Sequence, residues 1–364
     1  KLPPKLILFS GRLLEKVGIT SEVQFLRIIM DGIPPLEDKH LFIKDLRFEK
    51  VKVRIYQPKI PTTSQRRGIL YFHGGVGLFG SIRKSLQFLT RTSLDMAMVT
   101  LSLLFRYRLA PEHPYPTQFE DCLAATIHFM RTAQDYGVDP SRIIICGDSS
   151  GGTLTAAVAQ ALVNRRDLPK LRAQILIYPF LQSVNFNLPS YQQNEGVPIL
   201  LKQRILALGL KYLNRDLSIM EAVSKHSHIP EDLQLKYQKW VNPDYIPHEF
   251  KSRGYKPSTT HPFSEEIYTL VKPVFDTVFS PLIAEDSVIA QLPEAFILTC
   301  EFDVLRDDGL LYKKRLEDHG IKVTWCHLQE GFHGTVFLAF WGRVIAFQSG
   351  NKGLKKIVNF LRLM

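Results

Sequence analysis

The sequence lacks the features that mark several large classes of protein. None of its apolar runs approaches the ~20 residues that a helix needs to span a bilayer. It also has no glycine-rich phosphate loop, no dinucleotide-binding fingerprint and no acceptor sequence for N-linked glycosylation. We therefore expect neither a membrane-spanning helix within these residues nor nucleotide chemistry.

Cysteine is scarce, with four residues in a chain of 364 and no C-x-x-C pair. The wide spacing of Cys122, Cys146, Cys300 and Cys326 is not that of a disulfide framework, so buried thiols are expected. Pairing of two of them in an oxidising compartment is the alternative.

Basic residues are in excess, giving a net charge of +11, but they are scattered along the chain. Pairs such as Arg66-Arg67 are too short to form a polybasic tract, and no nucleic-acid-binding motif accompanies them. We expect no nucleic-acid partner and a solvated basic surface, compatible with anionic headgroups. His226 and His228 lack carboxylates or cysteines at ligand spacing, so no metal is expected.

The most informative stretch is a serine between glycines, Gly147-Asp148-Ser149-Ser150-Gly151. It follows the apolar run from Arg142 to Cys146 and precedes small residues that favour a helix. A strand, a sharp turn and a helix in this order are typical of a nucleophile elbow, in which a serine hydroxyl stands at the edge of a sheet. The flanking glycines permit the tight, strained backbone of such a turn. We therefore predict that Ser149 is a nucleophile.

A serine nucleophile needs backbone donors for the oxyanion that its attack creates. The apolar run from Gly68 to Phe72 leads into His73-Gly74-Gly75, a glycine turn that lets a substrate carbonyl approach closely. We expect the N–H groups of Gly74 and Gly75 to donate to the oxyanion, together with the N–H of Ser150 at a helix N-terminus. An ordinary strand-ending turn is the alternative.

Two later strands predict the groups that would activate Ser149. The run from Ala295 to Cys300 leads to Asp303, and the run from Ile321 to Cys326 leads to His333. Serine, aspartate and histidine in this order, each just beyond a strand, form the chain order of an α/β-hydrolase triad. We predict that His333 is the general base and that Asp303 orients it.

Two other acids follow the same predicted strand as Asp303. Glu301 and Asp307 both lie within four residues of it. We rank them lower because their positions suit surface or helix-capping roles. They remain the alternatives for the third member of the triad.

These motifs together resemble a known enzyme family. The chain is similar to the hormone-sensitive-lipase branch of the α/β-hydrolases, and most closely to the arylacetamide deacetylase family. Beyond the serine elbow and the glycine turn, the resemblance rests on Tyr107-Arg108-Leu109-Ala110-Pro111-Glu112-His113-Pro114, the run from Phe302 to Gly309, and Gly331-Phe332-His333-Gly334. It extends from about Leu46 to the C-terminus. The resemblance implies a carboxylic ester or amide hydrolase with a Ser149, His333 and Asp303 triad.

The sequence departs from that family beside the expected oxyanion hole. His73 opens the supporting loop as in the family, but Val76 and Gly77 stand where relatives usually have a third glycine and then an aromatic residue. A β-branched side chain resists a positive φ, so we expect Val76 to narrow or deform the hole. Loss of one oxyanion donor costs about 10²–10³-fold in kcat. Relatives generally have alanine in place of Ser150, a change that keeps the N–H group.

Strand-like and helix-like segments alternate from Leu70 to Leu181 and again from Ala295 to Leu363. This alternation predicts an α/β-hydrolase fold, a mostly parallel central sheet with helices on both faces. We predict one domain over residues 1–364, with a catalytic core of about 41–182 and 281–364 and a helical cap of about 1–40 and 183–280. For residues 1–40, an ordinary surface helix is the alternative. The predicted hairpin strands are Leu41 to Phe48 and Val51 to Tyr56, and the predicted helices are Thr117 to Tyr136, Ser150 to Asn164, Ile199 to Leu213 and Asp307 to His319.

The predicted reaction is two-step acyl transfer through an acyl-enzyme, for which no cofactor is needed. An apolar pocket under a cap favours a small or medium hydrophobic acyl ester or an acylated aryl amine as the small-molecule partner. The alternative from another class is a weakened hydrolase that binds a small lipid-like ligand, which Val76 favours and the complete triad disfavours. A serine peptidase ranks low because no large extra domain is present to filter peptides.

The expected location follows partly from the resemblance. The given residues are expected to be soluble, but the chain begins at Lys1 rather than at a methionine. The resemblance implies a membrane-associated protein with an N-terminal anchor, facing the lumen of the endoplasmic reticulum. The oligomeric state stays open.

Overall fold

The computed structural model of the chain describes residues 18–31, 39–80, 100–197, 200–257, 262–338 and 347–364. Within these ranges, eight strands form one sheet in the order β1-β2-β4-β3-β5-β6-β7-β8. The strands are β1 Leu41–Phe48, β2 Val51–Pro58, β3 Arg66–Phe72, β4 Thr100–Arg106, β5 Val138–Asp148, β6 Ala173–Ile177, β7 Glu294–Phe302 and β8 Val323–Phe332.

The sheet is parallel except at one strand. β2 pairs antiparallel with both β1 and β4, and each remaining neighbouring pair is parallel. This arrangement confirms the predicted fold class and the predicted antiparallel hairpin. Parallel strands are covered on both faces, which explains why the centre of β5, Ile143 to Cys146, is apolar without alternation and fully buried.

Helices cover both faces of the sheet. In β3, Leu70 and Phe72 pack into a core cluster with the helices Thr117–Thr132, Ser150–Leu162 and Arg306–Asp318, whereas Ile69 and Tyr71 pack into a second cluster with the helix Gln348–Arg362. The helices are α1 Glu22–Asp31, α2 Thr117–Thr132, α3 Ser150–Leu162, α4 Pro189–Gln193, α5 Lys202–Tyr212, α6 Met220–Ser224, α7 Glu231–Gln238, α8 Glu265–Val271, α9 Asp286–Ile289, α10 Arg306–Asp318, α11 Thr335–Leu338 and α12 Gln348–Arg362.

The sequence patterns that predicted the helices correspond to the residues that the helices bury. In α2, the buried residues Gln118, Cys122, Ala125 and Phe129 recur at three- and four-residue intervals, which places them on one helix face. In α3, the run of small residues lets the helix lie close to the sheet, and ten of its thirteen residues are buried. The predicted helix from Ile199 to Leu213 corresponds to α5, and its predicted start, Ile199, lies outside the described residues.

The segment between β6 and β7 holds helices α4 to α9 and adds one wall to a cavity above the sheet. Leu206 and Leu210 of α5 line this cavity together with Ser149. Helix α1 is tied to α5 by an ion pair between Glu22 and Lys211 with an N–O distance of 3.0 Å. Residues 1–17 and 32–38 of the predicted N-terminal cap segment lie outside the described residues.

The cysteines lie in the sheet and in one helix. Cys146, Cys300 and Cys326 belong to β5, β7 and β8, and Cys122 belongs to α2; all four are buried, as predicted. Burial raises the pKa of the Cys146 and Cys300 thiols well above the ordinary range, so these groups stay protonated at neutral pH. Across the described ranges, no helix combines the length and apolar character needed to cross a membrane.

A buried histidine lies in the segment between β6 and β7, and we expect its burial to make the stability of the fold sensitive to acid. The side chain of His228 is fully buried, and its Nε2–H donates to the backbone oxygen of Ser183 at 3.2 Å. Among the described residues its Nδ1 has no partner. Burial lowers the pKa of His228 from 6.5 to about 4, so the ring is neutral in the folded state.

We expect the His228→Gln variant to lose less stability than the wild type as the pH falls from 6.5 to 4. The neutral ring contributes fully above about pH 6.5, where the ring is unprotonated in both states. The contribution is lost as the pH falls from about 6.5 to about 4, because in this range only the unfolded state takes up a proton. The loss specific to His228 is on the order of 2–3 kcal/mol. Urea unfolding at pH 7.5, 5.5 and 4.5 measures it. Parallel stability curves for the two proteins would contradict this assignment.

Candidate active site

Ser149 occupies a strained turn between β5 and α3. It is the N-cap residue of α3 and has φ 55° and ψ −124°, in a region that non-glycine residues rarely adopt. A Cβ atom on Gly147 would lie 2.1 Å from the backbone oxygen of Gly151, and one on Gly151 would lie 2.1 Å from that of Phe72. Only glycine fits at these two positions, as the elbow motif predicts.

Three predicted site residues form a continuous hydrogen-bonded chain. The Nε2 atom of His333 lies 3.0 Å from Ser149 Oγ, and the Nδ1 atom of His333 lies 2.8 Å from Asp303 Oδ2. Asp303 follows β7 and His333 follows β8, so adjacent parallel strands deliver both residues to the edge at which β5 ends in Ser149. This arrangement can move a proton from a hydroxyl to an imidazole that a carboxylate orients.

The environment of Asp303 holds its carboxylate in place. Its side chain is completely buried, and Oδ1 accepts a hydrogen bond from Leu305 N–H at 3.0 Å. His333 is only 11% exposed. The alternative acids lie elsewhere: Glu301 and Asp307 both form ion pairs with the buried Arg306, at 3.0 and 2.9 Å.

Tyr178 packs against His333, and sequence reasoning missed it. It follows β6, has φ 36°, and its N–H donates to Leu298 O at 2.8 Å. Its ring centroid lies 4.9 Å from that of His333. Burial raises the pKa of the Tyr178 hydroxyl well above its ordinary value, so the residue is a neutral packing partner. The signal available in the sequence was an aromatic residue directly after an apolar strand, which is a weak one.

The glycine loop differs from the prediction at Gly74. Its N–H donates to Asp148 Oδ1 at 2.8 Å, so it is not available to an oxyanion. The same carboxylate oxygen accepts a hydrogen bond from the Tyr71 hydroxyl at 2.7 Å. Because Asp148 precedes Ser149, this contact fastens the loop to the elbow. Gly74 therefore has a structural role, which corrects the predicted role as an oxyanion donor.

In the described part of the chain, the N–H groups of Gly75 and Ser150 have no hydrogen-bond acceptor. Among the described residues, none accepts a hydrogen bond from the Gly75 N–H, and Ser150 lies in the first turn of α3, where N–H groups have no acceptor within the helix. Val76 adopts φ 58°, the left-handed conformation that its β-branched side chain disfavours. Its N–H donates to Ser150 Oγ at 2.7 Å.

His73 and Tyr107 hold the start of the loop. The buried His73 ring stacks on Tyr107 with a centroid distance of 4.2 Å, and the Tyr107 hydroxyl donates to His73 O at 2.6 Å. Tyr107 opens the motif that runs to Pro114, and the next residue, Arg108, forms an ion pair with Asp121 of α2 at 2.7 Å. The motif thus connects the loop to the helical layer.

A largely apolar cavity opens above Ser149. It encloses about 970 Å³ of empty space, including open solvent at its mouth. None of its described lining residues is Asp, Glu, Lys, Arg or His. Four aromatic side chains form one wall in mutual contact, with neighbouring ring centroids 5.6–6.1 Å apart: Tyr115, Phe180, Tyr212 and Phe279. Within the described ranges, no group of three or more His, Cys, Asp or Glu side chains could hold a metal ion.

Known proteins are similar to this chain in sequence and in fold. The family profile described as "alpha/beta hydrolase fold" matches residues 69–236 and 242–337. Arylacetamide deacetylase-like 4 of Homo sapiens is 44% identical over 355 residues, covering 97% of this chain and 86% of the relative. Arylacetamide deacetylase of Bos taurus is 38% identical over 355 residues, covering 95% and 85%. Among solved structures, a bacterial heroin esterase has a TM-score of 0.69 at 21% identity, covering 98% and 91%, which shows the shared fold.

The matched ranges contain the whole hydrogen-bonded chain. Ser149 lies in the first range of the family profile, and Asp303 and His333 lie in the second. The sequence relatives match over nearly the entire length of the protein. The protein therefore belongs to the arylacetamide deacetylase family of α/β-hydrolases, which confirms the predicted enzyme class, a serine hydrolase of carboxylic esters.

Proposed function

We propose that the protein hydrolyses neutral, hydrophobic carboxylic esters by transferring their acyl group first to Ser149 and then to water. The observation that carries this proposal is the chain from Ser149 through His333 to Asp303, with contacts of 3.0 and 2.8 Å, at an apolar cavity. Hydrolysis of p-nitrophenyl esters by the purified protein tests it.

In the first step, His333 Nε2 removes the proton of Ser149 as Oγ attacks the ester carbonyl carbon. The buried Asp303 carboxylate accepts a hydrogen bond from His333 Nδ1–H and stabilises the imidazolium that forms. The open N–H groups of Gly75 and Ser150 donate to the oxyanion of the tetrahedral intermediate. His333 then returns its proton to the leaving alkoxide, and the acyl-enzyme remains.

In the second step, water takes the place of the alcohol. His333 removes a proton from this water, the resulting hydroxide attacks the acyl-enzyme, and Ser149 leaves with the proton that His333 gives back. The base therefore returns to its neutral state after each cycle. The limited exposure of His333 and the apolar cavity keep other water away from the reacting atoms.

The chemistry of the cavity supports a neutral substrate with an aromatic or aliphatic group. A charged acyl chain would lose its hydration without meeting an opposite charge, which costs several kcal/mol. Tyr115, Tyr212 and Phe279 offer ring faces and edges to an aryl group. Aryl esters and acylated aryl amines therefore belong to the proposed class, as the name arylacetamide deacetylase of the Bos taurus relative suggests.

We expect Gly209→Phe to shorten the acyl chains that the enzyme accepts. Gly209 lies in α5, lines the cavity, and a Cβ atom there would meet no atom within 4 Å. A phenylalanine side chain would fill the space that three or four methylene groups of a long acyl chain need. Each methylene group that can no longer be buried loses ~0.8 kcal/mol of favourable transfer free energy. The ratio of kcat/KM for p-nitrophenyl decanoate to that for the acetate should fall by about 60–200-fold.

The matched control for this variant is Gly196→Phe. Gly196 is equally open to a Cβ atom but is exposed and does not line the cavity. The control should keep the wild-type ratio between the two esters. An unchanged ratio in Gly209→Phe, with both variants folded, would show that the acyl chain does not enter this cavity.

A pyrene-labelled ester distinguishes an esterase from a protein that only binds a lipid-like ligand. A binding protein would quench or shift the fluorescence of a bound pyrene-labelled ester without releasing its alcohol. The strained Val76 is the feature that favours this alternative. The complete hydrogen-bonded chain at Ser149 favours catalysis, because a binding role does not require it.

We infer a membrane-associated location on the lumenal side of the endoplasmic reticulum from the family resemblance. A neutral, apolar substrate partitions into membranes, so an enzyme close to the bilayer meets a higher concentration of it. Fractionation of cells that express the full-length protein, followed by protease protection of the isolated vesicles, tests this location.

A further inference from the structure

The hydroxyl of Ser150 lies beside the proposed oxyanion donors. Its Oγ accepts the hydrogen bond from Val76 N–H at 2.7 Å, and both residues line the cavity with Ser149. A hydroxyl that accepts one hydrogen bond still has a proton to donate. Within the described part of the chain, no protein group accepts that proton. Ser150 therefore offers a donor that an alanine at this position would lack.

The contact with Val76 explains how this donor is prepared. The Val76 N–H already donates its hydrogen bond to Ser150 Oγ, so it is not free to donate to an oxyanion that the Ser150 hydroxyl contacts. The N–H group instead fixes the orientation of the hydroxyl and polarises it, since a hydroxyl that accepts a hydrogen bond donates more strongly. A bond from a hydroxyl to an oxyanion is charge-assisted and shorter than a neutral one.

We propose that the Ser150 hydroxyl is a third donor of the oxyanion hole, beside the N–H groups of Gly75 and Ser150. This inference rests on the proposed esterase function. Ser150 Oγ–H donates to the carbonyl oxygen as its negative charge develops, and Val76 N–H acts through Ser150. The two departures from the usual family motif, Val76 and Ser150, thus form one functional pair.

The test is the Ser150→Ala variant, measured with p-nitrophenyl butyrate beside the wild type and Ser149→Ala. We expect kcat to fall by about 10–100-fold with little change in KM, because the donor acts on charge that develops only in the transition state. The affinity for a trifluoromethyl ketone inhibitor, whose adduct carries an oxyanion, should fall by a similar factor. Thermal unfolding checks that the variant is folded.

The control is Thr155→Val, which removes a hydroxyl from the same helix. Thr155 Oγ1 donates to Gly151 O at 2.8 Å and does not line the cavity. Its kcat should stay within about twofold of the wild type, since exchanging a helix hydroxyl for a methyl group changes no group that touches the substrate.

Two outcomes separate this inference from the proposed function. If the wild type hydrolyses the ester and Ser149→Ala does not, while Ser150→Ala matches or exceeds the wild type, the hydroxyl covers the Val76 N–H and the inference is overturned. If the wild type itself shows no hydrolysis that depends on Ser149, that result contradicts the proposed esterase function rather than the role of the Ser150 hydroxyl alone. A fall in kcat together with weaker inhibitor binding supports the hydroxyl as a donor.

Discussion

Replacing Ser149 with alanine is expected to lower kcat for p-nitrophenyl butyrate by about 10⁴–10⁶-fold. In the proposed mechanism the side chain supplies the oxygen that attacks the carbonyl, and no other hydroxyl lies in hydrogen-bond contact with His333 in the described part of the chain. What remains is the contribution of the oxyanion donors and of substrate binding. Initial rates over a range of substrate concentrations measure the effect.

The same variant should keep its fold. Among the described residues, Ser149 Oγ makes one hydrogen bond, to His333, and the strained backbone of the elbow is accommodated by Gly147 and Gly151 rather than by the hydroxyl. We expect the free energy of unfolding to change by less than about 1 kcal/mol. Residual activity within tenfold of the wild type, in a folded variant, would mean that another residue carries the acyl group.

The second large effect is expected for Asp303→Asn, with a fall in kcat of about 10⁴-fold. The buried carboxylate accepts a hydrogen bond from His333 Nδ1–H and so leaves Nε2 free to accept the proton of Ser149. An amide that turns its NH₂ group toward His333 stabilises the opposite tautomer, in which Nε2 carries the proton. The rate of ester hydrolysis and circular dichroism of the variant measure the effect on catalysis and fold.

Glu301→Gln is the matched control for this variant. Glu301 is the nearest alternative acid, but its carboxylate contacts Arg253, Arg306 and His327 rather than His333. We expect its kcat to change by less than about tenfold, because a residue outside the reacting chain affects the rate only through structure. A larger loss in Glu301→Gln than in Asp303→Asn would show that the acid was assigned to the wrong residue.

The strands and the candidate triad could be predicted because their signals are local. Parallel strands buried on both faces appear in the sequence as unbroken apolar runs, such as Ile143 to Cys146. The carboxyl ends of such strands meet at one edge, so the residues just beyond β5, β7 and β8 were expected to lie together. This reasoning was sufficient to predict that Ser149, Asp303 and His333 lie close together.

The glycine loop, His73-Gly74-Gly75, could not be predicted in detail because its contacts are non-local. Gly74 was expected to face the substrate, but its N–H donates to Asp148, which lies 74 positions later in the chain. The pairing of Val76 with Ser150 spans the same distance in sequence. Hydrogen bonds of this kind depend on how two loops meet, and residue types alone do not fix that geometry.

The segment between β6 and β7, which the sequence predicts to be part of a cap, shows a second limit of prediction from sequence. The helices between β6 and β7 include short ones of four or five residues, which do not persist without tertiary contacts. Their sequence reads as irregular because packing, rather than helix propensity, stabilises them. The cavity lining from α5 became visible only in the folded structure.

The most direct test of the account is to find the residue that accepts an acyl-like group. The purified protein would be treated with a fluorophosphonate and then digested, and the modified peptide would be identified by tandem mass spectrometry. We predict one adduct, on Ser149, that is absent in Ser149→Ala and forms much more slowly in His333→Ala, which lacks the base. An adduct on another residue, or no adduct on a folded wild-type protein, would contradict the assignment of Ser149 as the nucleophile.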